Sequence, residues 1–597
     1  MKNIFRIFAA MTATVAFAAC DLTLLPEDKV SPDTYFKTQT DMERWTNRYY
    51  TLIVNPETST RYNADDMVDK SMGSIIEGTR MASDDMDGSL EWGWKPLRWI
   101  NYHLENSKNC EDQAVKDKYD GVSYFFRAYF YYQKVLRFGD VPWYDTVLAS
   151  DDNAALTKPR DDRGYVIDMV IQDLDRAINR LPSDRGTTVD GMSRVNKWTA
   201  VALKARVALF EGTWRKYRGM ENADKYLQAA AEAARTFIDE SGYSLYKGGD
   251  TPYRDLFNRD DISEVACEVI LARLYDATTL KIGHSVQFNI KNDAQGFTRR
   301  FMNHYLMVTG ERFTEQPGNE TMFYTDEVQN RDPRLAQTVL CPGYIQKGGK
   351  DVIANDMNSH TGYQPIKYIA QEAYDGASKG STSLPLFRAA EVYLVYAEAL
   401  AELGTLTQAD LDISVNKIRD RVSMPKLDMA TANANPDPFL AGCYPNVTQS
   451  ANTGVILEIR RERTVELVNE GFRQWDMLRW KEGAQMVNTS TDASKDMRYF
   501  GVYFPGPGLY DMDGDGANDF QLYEKGTTPE VGMNSKILGV DIILSEGTSG
   551  YVVAHPEMTY SFDETRDYLW PIPADQRVLS GGNLTQNPGW TDSTNYN

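Results

Sequence analysis

Two stretches of this 597-residue chain carry side chains at spacings that could do chemistry. One is Asp511-Met512-Asp513-Gly514-Asp515-Gly516-Ala517-Asn518-Asp519. Carboxylates at positions 1, 3, 5 and 9 around a glycine at position 6 match the first half of a calcium loop. Position 12 would be Leu522, which has no side-chain oxygen, so this is not a complete EF-hand loop. A backbone carbonyl or Glu524 would have to close the shell. The spacing therefore predicts a structural Ca²⁺ ion on Asp511, Asp513, Asp515 and Asp519, against the plainer alternative of a solvated acidic turn. The other stretch, 84–102, offers Asp84, Asp85, Trp92, Trp94, Trp99, Asn101 and Tyr102. A sugar ring has an apolar C–H face that stacks on an aromatic plane and a hydroxyl rim that needs amides and carboxylates. Tryptophan beside Asp and Asn supplies both. Asp84, Asp85, Trp92, Trp94 and Asn101 are the expected ligand contacts, with Tyr305, Phe297 and Phe301 facing the same site. At ~1 kcal/mol per aromatic contact and ~1 kcal/mol per net hydrogen bond, such a site reaches roughly 4–7 kcal/mol. That is a Kd between about 1 mM and about 10 μM. The competing reading makes Trp94 and Trp99 core residues that anchor a helix.

Catalytic sets are missing from the sequence. There is no H-E-x-x-H, G-x-x-x-x-G-K-[ST] or G-x-G-x-x-G, and the single G-x-S-x-G string, Gly376 to Gly380, falls in a stretch without helical periodicity rather than at the strand-to-helix turn that a nucleophile elbow needs. The five histidines, at 103, 284, 304, 360 and 555, are scattered. A glycosidase needs only two carboxylates, and 85 acidic residues leave that open by count. Glu391 and Glu398, seven apart on one helix, read better as structural. The expectation is a binding protein rather than an enzyme, with no required cofactor.

The elements that must position these groups are helical. Residues 122–137 form an aromatic-rich helix broken by the Gly and Pro of 138–143. A helix over 164–181 ends at Pro182. Residues 197–218 and 222–239 form a pair, with Ala200, Ala202, Ala205 and Ala208 allowing close approach. The stretches 386–403 and 407–422 repeat the design. The segment 454–483 reads as a long helix, a break at Gly471 and a shorter helix, with Val468, Phe472, Trp475 and Leu478 on one apolar stripe. Its flanks would pair Glu458 with Arg461 and Arg463 with Glu466.

Hydrophobic content of 42% and charged content of 25% are those of a chain with ample core. A net charge of −21 argues against nucleic acid, which needs a basic footprint. The start has a cationic n-region at Lys2 and Arg6, a short apolar run and Ala18-Ala19-Cys20. It looks like a lipoprotein signal peptide over 1–19, cleaved so that Cys20 is acylated and anchors the chain. Cys110, Cys267, Cys341 and Cys443 remain, open to disulfide pairing or to isolated thiols.

The pattern from Glu462-Arg463 through Glu466-Leu467, Glu470-Gly471, Arg473 and Asp476 to Arg479-Trp480 resembles the signature of SusD-like proteins. Similar marks are Arg127-Ala128 with 138–143, Asn330 to Leu335, Arg388 with 396–399, Ile418-Arg419, 568–573 and 583–590. The resemblance implies a mainly α fold: a tetratricopeptide-like scaffold of helix pairs decorated with long irregular loops. It implies one binding domain over 20–597, with helix pairs about 40–240 and 386–483 and variable loops about 243–385 and 484–566. It further implies a surface lipoprotein of the outer membrane that captures an oligosaccharide for a SusC-type TonB-dependent transporter. An oligopeptide ligand, as in RagB-like relatives, is the alternative, and a glycoside hydrolase a third.

Overall fold

The computed structural model describes residues 34–55, 64–487 and 499–591. The expected signal segment, 1–19, and Cys20 lie outside the described residues. Among those described, no helix is long and apolar enough to cross a membrane.

Helix α1, Gln39–Thr46, opens with a capping box in which Thr38 and Asp41 satisfy each other's backbone N–H groups. Helices α2, Lys95–Asn106, and α3, Gln113–Phe138, pack together. From Tyr119 to Phe138 α3 has apolar residues on nearly every side and is buried almost throughout, as a helix without a polar face must be. Helix α4, Arg163–Ile178, lies on α3 and starts at Asp162, whose carboxylate accepts from Gly164 and Tyr165.

Helices α5, Lys197–Lys216, and α6, Ala223–Glu240, form the tightest pair. The four predicted alanines are all buried. At Gly212 a Cβ would lie 2.8 Å from the Leu227 side chain and 2.9 Å from its backbone nitrogen, so only glycine permits this approach. Helix α7, Ala389–Leu403, packs on α6 and on α9 below. The predicted helix over 407–422 is divided, its second part being α8, Val415–Arg421. Helices α9, Thr453–Glu466, and α10, Arg473–Arg479, flank Gly471 at φ +81°, a left-handed turn that glycine takes without strain. This succession of helix pairs is the tetratricopeptide-like scaffold the sequence predicts.

One expectation about α9 and α10 is corrected. Every residue of α9 is buried, so the charged groups are not flanks. Glu458 does pair with Arg461 at 3.1 Å, but Arg463 pairs with Asp476 at 2.7 Å rather than with Glu466. The reason is tertiary: carboxylates and guanidiniums arrive from 268, 332–334, 388 and 419–421. Glu466 meets Arg334, Arg388 and Arg421. Arg388 also reaches Glu268 and Glu470, and Lys367 meets Glu470 at 2.7 Å. Glu398 receives Arg479 and the Trp480 indole N–H. Glu391 takes both Nε and Nη2 of Arg206 at 2.6 Å. The structural reading of Glu391 and Glu398 is thus the observed one.

The long stretches between helices carry small sheets. Strands β1, Met67–Val68, and β3, Gly296–Phe297, pair antiparallel, as do β2, Val269–Arg273, with β4, Leu384–Arg388. Strands β5, Phe500–Phe504, and β9, Gly550–Val553, form a third such pair. Strand β6, Gly508–Tyr510, runs antiparallel to β7, Phe520–Glu524, which runs parallel to β8, Asn534–Leu538. These regions, expected as irregular, have cores of their own around Phe301, Tyr305 and Phe504 and around Tyr253, Phe257 and Ile366. Their strands are two to five residues long, too short for alternation to stand out in the sequence. Cys110, Cys267, Cys341 and Cys443 are free thiols.

Candidate functional site

An open cleft of about 540 Å³ lies between the start of α2, the loop after α3 and the C-terminal helix α11, Ala574–Leu579. Trp94 and Tyr144 supply its aromatic wall, their rings edge to face at 5.9 Å. Leu156 and Leu579, 47% and 72% exposed, give it an apolar rim. Lys95, Arg98, Lys158, Asn153, Thr157 and Gln576 supply polar groups.

The scaffold fixes this wall through helix α3. Lys134 donates to the backbone carbonyls of Ser89, Glu91 and Gly93, clamping the loop that ends in Trp94. Its ammonium also lies 5.5 Å from the Trp94 ring and 4.7 Å from Phe130. Burial, with Arg137 adding to it, holds the Lys134 pKa well below the usual lysine range. Two turns of α3 earlier, Arg127 forms a two-pronged pair with Asp173 at 2.6 and 2.9 Å. Its remaining nitrogen holds Asn101 Oδ1 at 3.2 Å. Asn101 Nδ2 then donates to the carbonyls of Tyr144 and Thr146. An ion pair inside the scaffold thereby sets the loop that carries Tyr144. The Tyr144 hydroxyl donates to the Ala155 carbonyl, and burial with nearby Asp161 raises its pKa to about 12. It remains a neutral phenol at physiological pH. The C-terminal ending closes the other side: Asn587 Nδ2 holds the carbonyls of Phe138 and Trp570, and Asn583 Nδ2 that of Thr157.

The sequence-predicted contacts fall in three groups. Trp94 lines the cleft, half-buried, with one edge against Phe130 and Tyr131. Trp92 and Asn101 border it but are 3% and 1% exposed, and the Asn101 amide is already used in fixing the wall. Asp84 and Asp85 are outside its lining. Their carboxylates accept from the backbone nitrogens of Met81 and Asp87 and shape the preceding turn. Tyr305 is a correction: at 0% exposure, among Phe301 and the second core, it cannot touch a ligand, and Phe297 and Phe301 are buried with it. Aromatic type without burial information misled there. Tyr144, Lys158 and Leu579 were missed, because they meet Trp94 only through tertiary packing, whereas Arg98, one helical turn after Trp94, was within reach of the sequence and was passed over for its charge. The FGDVPW segment next to Tyr144 was the available signal.

The acidic loop joins β6 to β7. Asp511, Asp513 and Asp519 each bring one carboxylate oxygen within 4.8 Å of the others. Asp515 stands apart from this cluster and accepts instead from Ala517 N at 2.7 Å. Leu522 is buried in β7, so position 12 has no ligand to give. Burial, then the charges of Asp513 and Asp511, raises the Asp519 pKa. The donor set is hard oxygen and fits a divalent cation of the Ca²⁺ kind.

Residues 268–590, more than half of the chain, match the sequence profile of the SusD family. Residues 29–209 match a second profile described as starch-binding, associating with the outer membrane. A relative, SusD-like protein P38 of Formosa agariphila, is 22% identical over 529 residues, 84% of this chain and 96% of that protein. Among solved structures, a SusD-like protein from Bacteroides fragilis superposes with a TM-score of 0.67 at 22% identity, covering 95% of this chain and all of that one. A structure named as a laminarin-binding SusD-like protein gives 0.54 at 17% identity, over 93% of this chain and all of that one. The profile match and the shared helix-pair architecture lead to one conclusion: this chain belongs to the SusD family.

Proposed function

We propose that this protein captures an oligosaccharide in the Trp94–Tyr144 cleft and delivers it, unaltered, to a SusC-type TonB-dependent transporter while anchored to the outer membrane through acylated Cys20. The observation that carries the reading is the cleft itself. It is open, walled by two aromatic rings and edged with polar side chains, and its wall is fixed by the buried Arg127–Asp173 ion pair and the buried Lys134 ammonium rather than left to a mobile loop. Preorganised aromatic faces of this kind suit the apolar face of a sugar at little entropic cost. The family placement, the starch-binding description of the second profile and the laminarin-binding neighbour favour a glycan over a peptide. Asp511, Asp513 and Asp519 hold a structural Ca²⁺ ion, away from the cleft lining.

Isothermal titration of the purified protein against neutral and charged oligosaccharides and an oligopeptide mixture tests the binding step. Heat with an oligosaccharide, with affinity weakened in Trp94→Ala and Tyr144→Ala, is expected. Heat with peptides alone, unchanged in both variants, would retire the glycan reading. Co-purification with a transporter from native membranes, abolished by Cys20→Ala, tests delivery and anchoring.

A further inference from the structure

The cleft has a charge of its own, opposite in sign to that of the chain. Its lining includes Lys95, Arg98 and Lys158 and no aspartate or glutamate, although acidic residues outnumber basic ones 85 to 64 overall. In the interior, cations such as Arg388 and Arg421 are matched to carboxylates, those of Glu268 and Glu466. In the cleft they are not matched in this way. Arg98 is exposed and donates to the neutral carbonyl of Leu148 at 2.6 Å. Lys95 is exposed, and its ammonium stands 5.5 Å from the Trp99 ring with no carboxylate pairing it among the described residues. Lys158 contributes less, because Asp161 lies 2.7 Å from its ammonium. The N-terminus of α2 also opens here at Trp94 without a side-chain cap, and its dipole adds positive potential.

Two uncompensated cations beside an aromatic wall select for a ligand with both an apolar ring face and a negative charge. We propose that the captured glycan is anionic, its sugar units carrying carboxylates or sulfate esters that Lys95 and Arg98 recognise. This rests on the glycan reading above and narrows it. Arg98 and Lys95 fall at i and i−3 of one helix, so they stand on one face and can address one anionic group or two adjacent ones. The chain's net negative charge opposes a polyanion at long range. At physiological salt, however, that field decays within about 8 Å, so the local cations decide the affinity inside the cleft.

The test is titration calorimetry on the purified protein at 50, 150 and 500 mM NaCl with five probes. These are an oligogalacturonate for carboxylate, a sulfated galactan oligomer for sulfate ester, maltohexaose and laminarihexaose as neutral glycans, and poly-glutamate as an acidic peptide. An anionic oligosaccharide is expected to bind at least tenfold more tightly than either neutral one and to weaken as salt rises. Lys95→Gln and Arg98→Gln are each expected to lose about tenfold toward it and several-fold less toward neutral glycans. Which of the two anionic glycans binds identifies the anion. Equal or tighter binding of a neutral glycan, insensitive to salt and to both substitutions but lost in Trp94→Ala, would overturn the anionic inference while leaving the glycan reading standing. Absence of heat with every glycan would sink that reading itself. Poly-glutamate binding as tightly as the anionic glycan, with the same dependence on Lys95 and Arg98, would overturn both by showing that charge alone is read.

Discussion

The α9–α10 interior and the Trp94 cleft are both built from cations and aromatic rings, and they use them oppositely. In the interior, Arg334, Arg388, Arg421 and Arg479 are each held by carboxylates, and their side chains are at most 2% exposed. Arg460 sits within 4.3–5.2 Å of the rings of Trp480, Tyr217 and Tyr444. In the cleft, Lys95 and Arg98 are exposed and have no carboxylate partner among the described residues. A charge whose partners are already present has its orientation fixed and binds nothing further. A charge left open to solvent beside an aromatic wall is available to a ligand. Substitutions in the two regions should therefore fail in different assays, and that separation can be broken experimentally.

The largest effect is expected at Glu466. Its removal leaves three guanidiniums buried with a missing partner, and breaking a buried pair from one side costs about 3–5 kcal/mol. For a chain of this size that lowers the melting temperature by roughly 3–5 °C in Glu466→Ala. Arg98→Gln should leave the melting temperature unchanged. If Glu466→Ala melts with the wild type, the network is not what joins α7, α9 and the 268 segment.

Acid provides a second test of the same side. Burial alone would raise the Glu466 carboxyl, but Arg421, Arg388 and Arg334 outweigh it and hold its pKa at about 2. Glu398 is likewise held at about 2, burial opposing and Arg479 prevailing. Carboxyls depressed on folding stabilise the protein above their unfolded pKa near 4.5, and that stability is lost as pH falls through the folded value. Stability should therefore hold at pH 5 and drop between about 4.5 and about 2, as followed by circular dichroism. A flat profile across that window would contradict the assignment.

The interior was the more legible region, though for an incomplete reason. Its spacing gave the helix, the Gly471 turn and the helix after it, and the signature residues placed it in the scaffold. What the spacing could not give was the partners of Glu466 and Arg463, because these come from 388, 421 and 476 through tertiary contact. The cleft was less legible. Trp94 was identified by type and place, but Tyr144 and Leu579 are about 50 and 485 residues away in sequence, and no periodicity links them. Tyr305 shows the converse error: an aromatic in a long loop looks available until the small sheets around it are seen to make a core.

On the cleft side, Trp94→Ala should weaken oligosaccharide binding by about 1–2 kcal/mol, roughly five- to thirtyfold, through the lost aromatic face. Trp94→Phe should retain part of that affinity. Because Trp94 also packs on Phe130 and Tyr131, the alanine variant should be compared at a temperature where both proteins are folded. Equal affinities would remove Trp94 from the site and leave the cleft without its principal wall.

The smallest effect is expected at the acidic loop, where charge is open to solvent as in the cleft but of the opposite sign. Ca²⁺ sites with few protein ligands and no bidentate glutamate bind in the range of about 0.1–1 mM. At ~1 mM Ca²⁺ such a site stabilises the folded form by only about 0.4–1.4 kcal/mol, too little to move the melting temperature of the whole chain by much more than about 1 °C. The gain should be local, since Asp511 and Asp519 already accept from the backbone N–H groups of Met512, Asp513, Gly514 and Gly516 and the ion would tie those turns together. Limited proteolysis between β6 and β7 is the more sensitive readout. Cleavage there should slow in 1 mM CaCl₂, recover in EGTA and be independent of calcium in Asp511→Asn/Asp513→Asn. Asp515→Asn should behave as wild type, because its carboxylate faces Ala517 rather than the cluster. Calcium-independent cleavage of the wild-type loop would reduce it to a solvated turn. It would also make the point drawn from the cleft more exact: unpaired charge signals a ligand only where an apolar wall stands beside it.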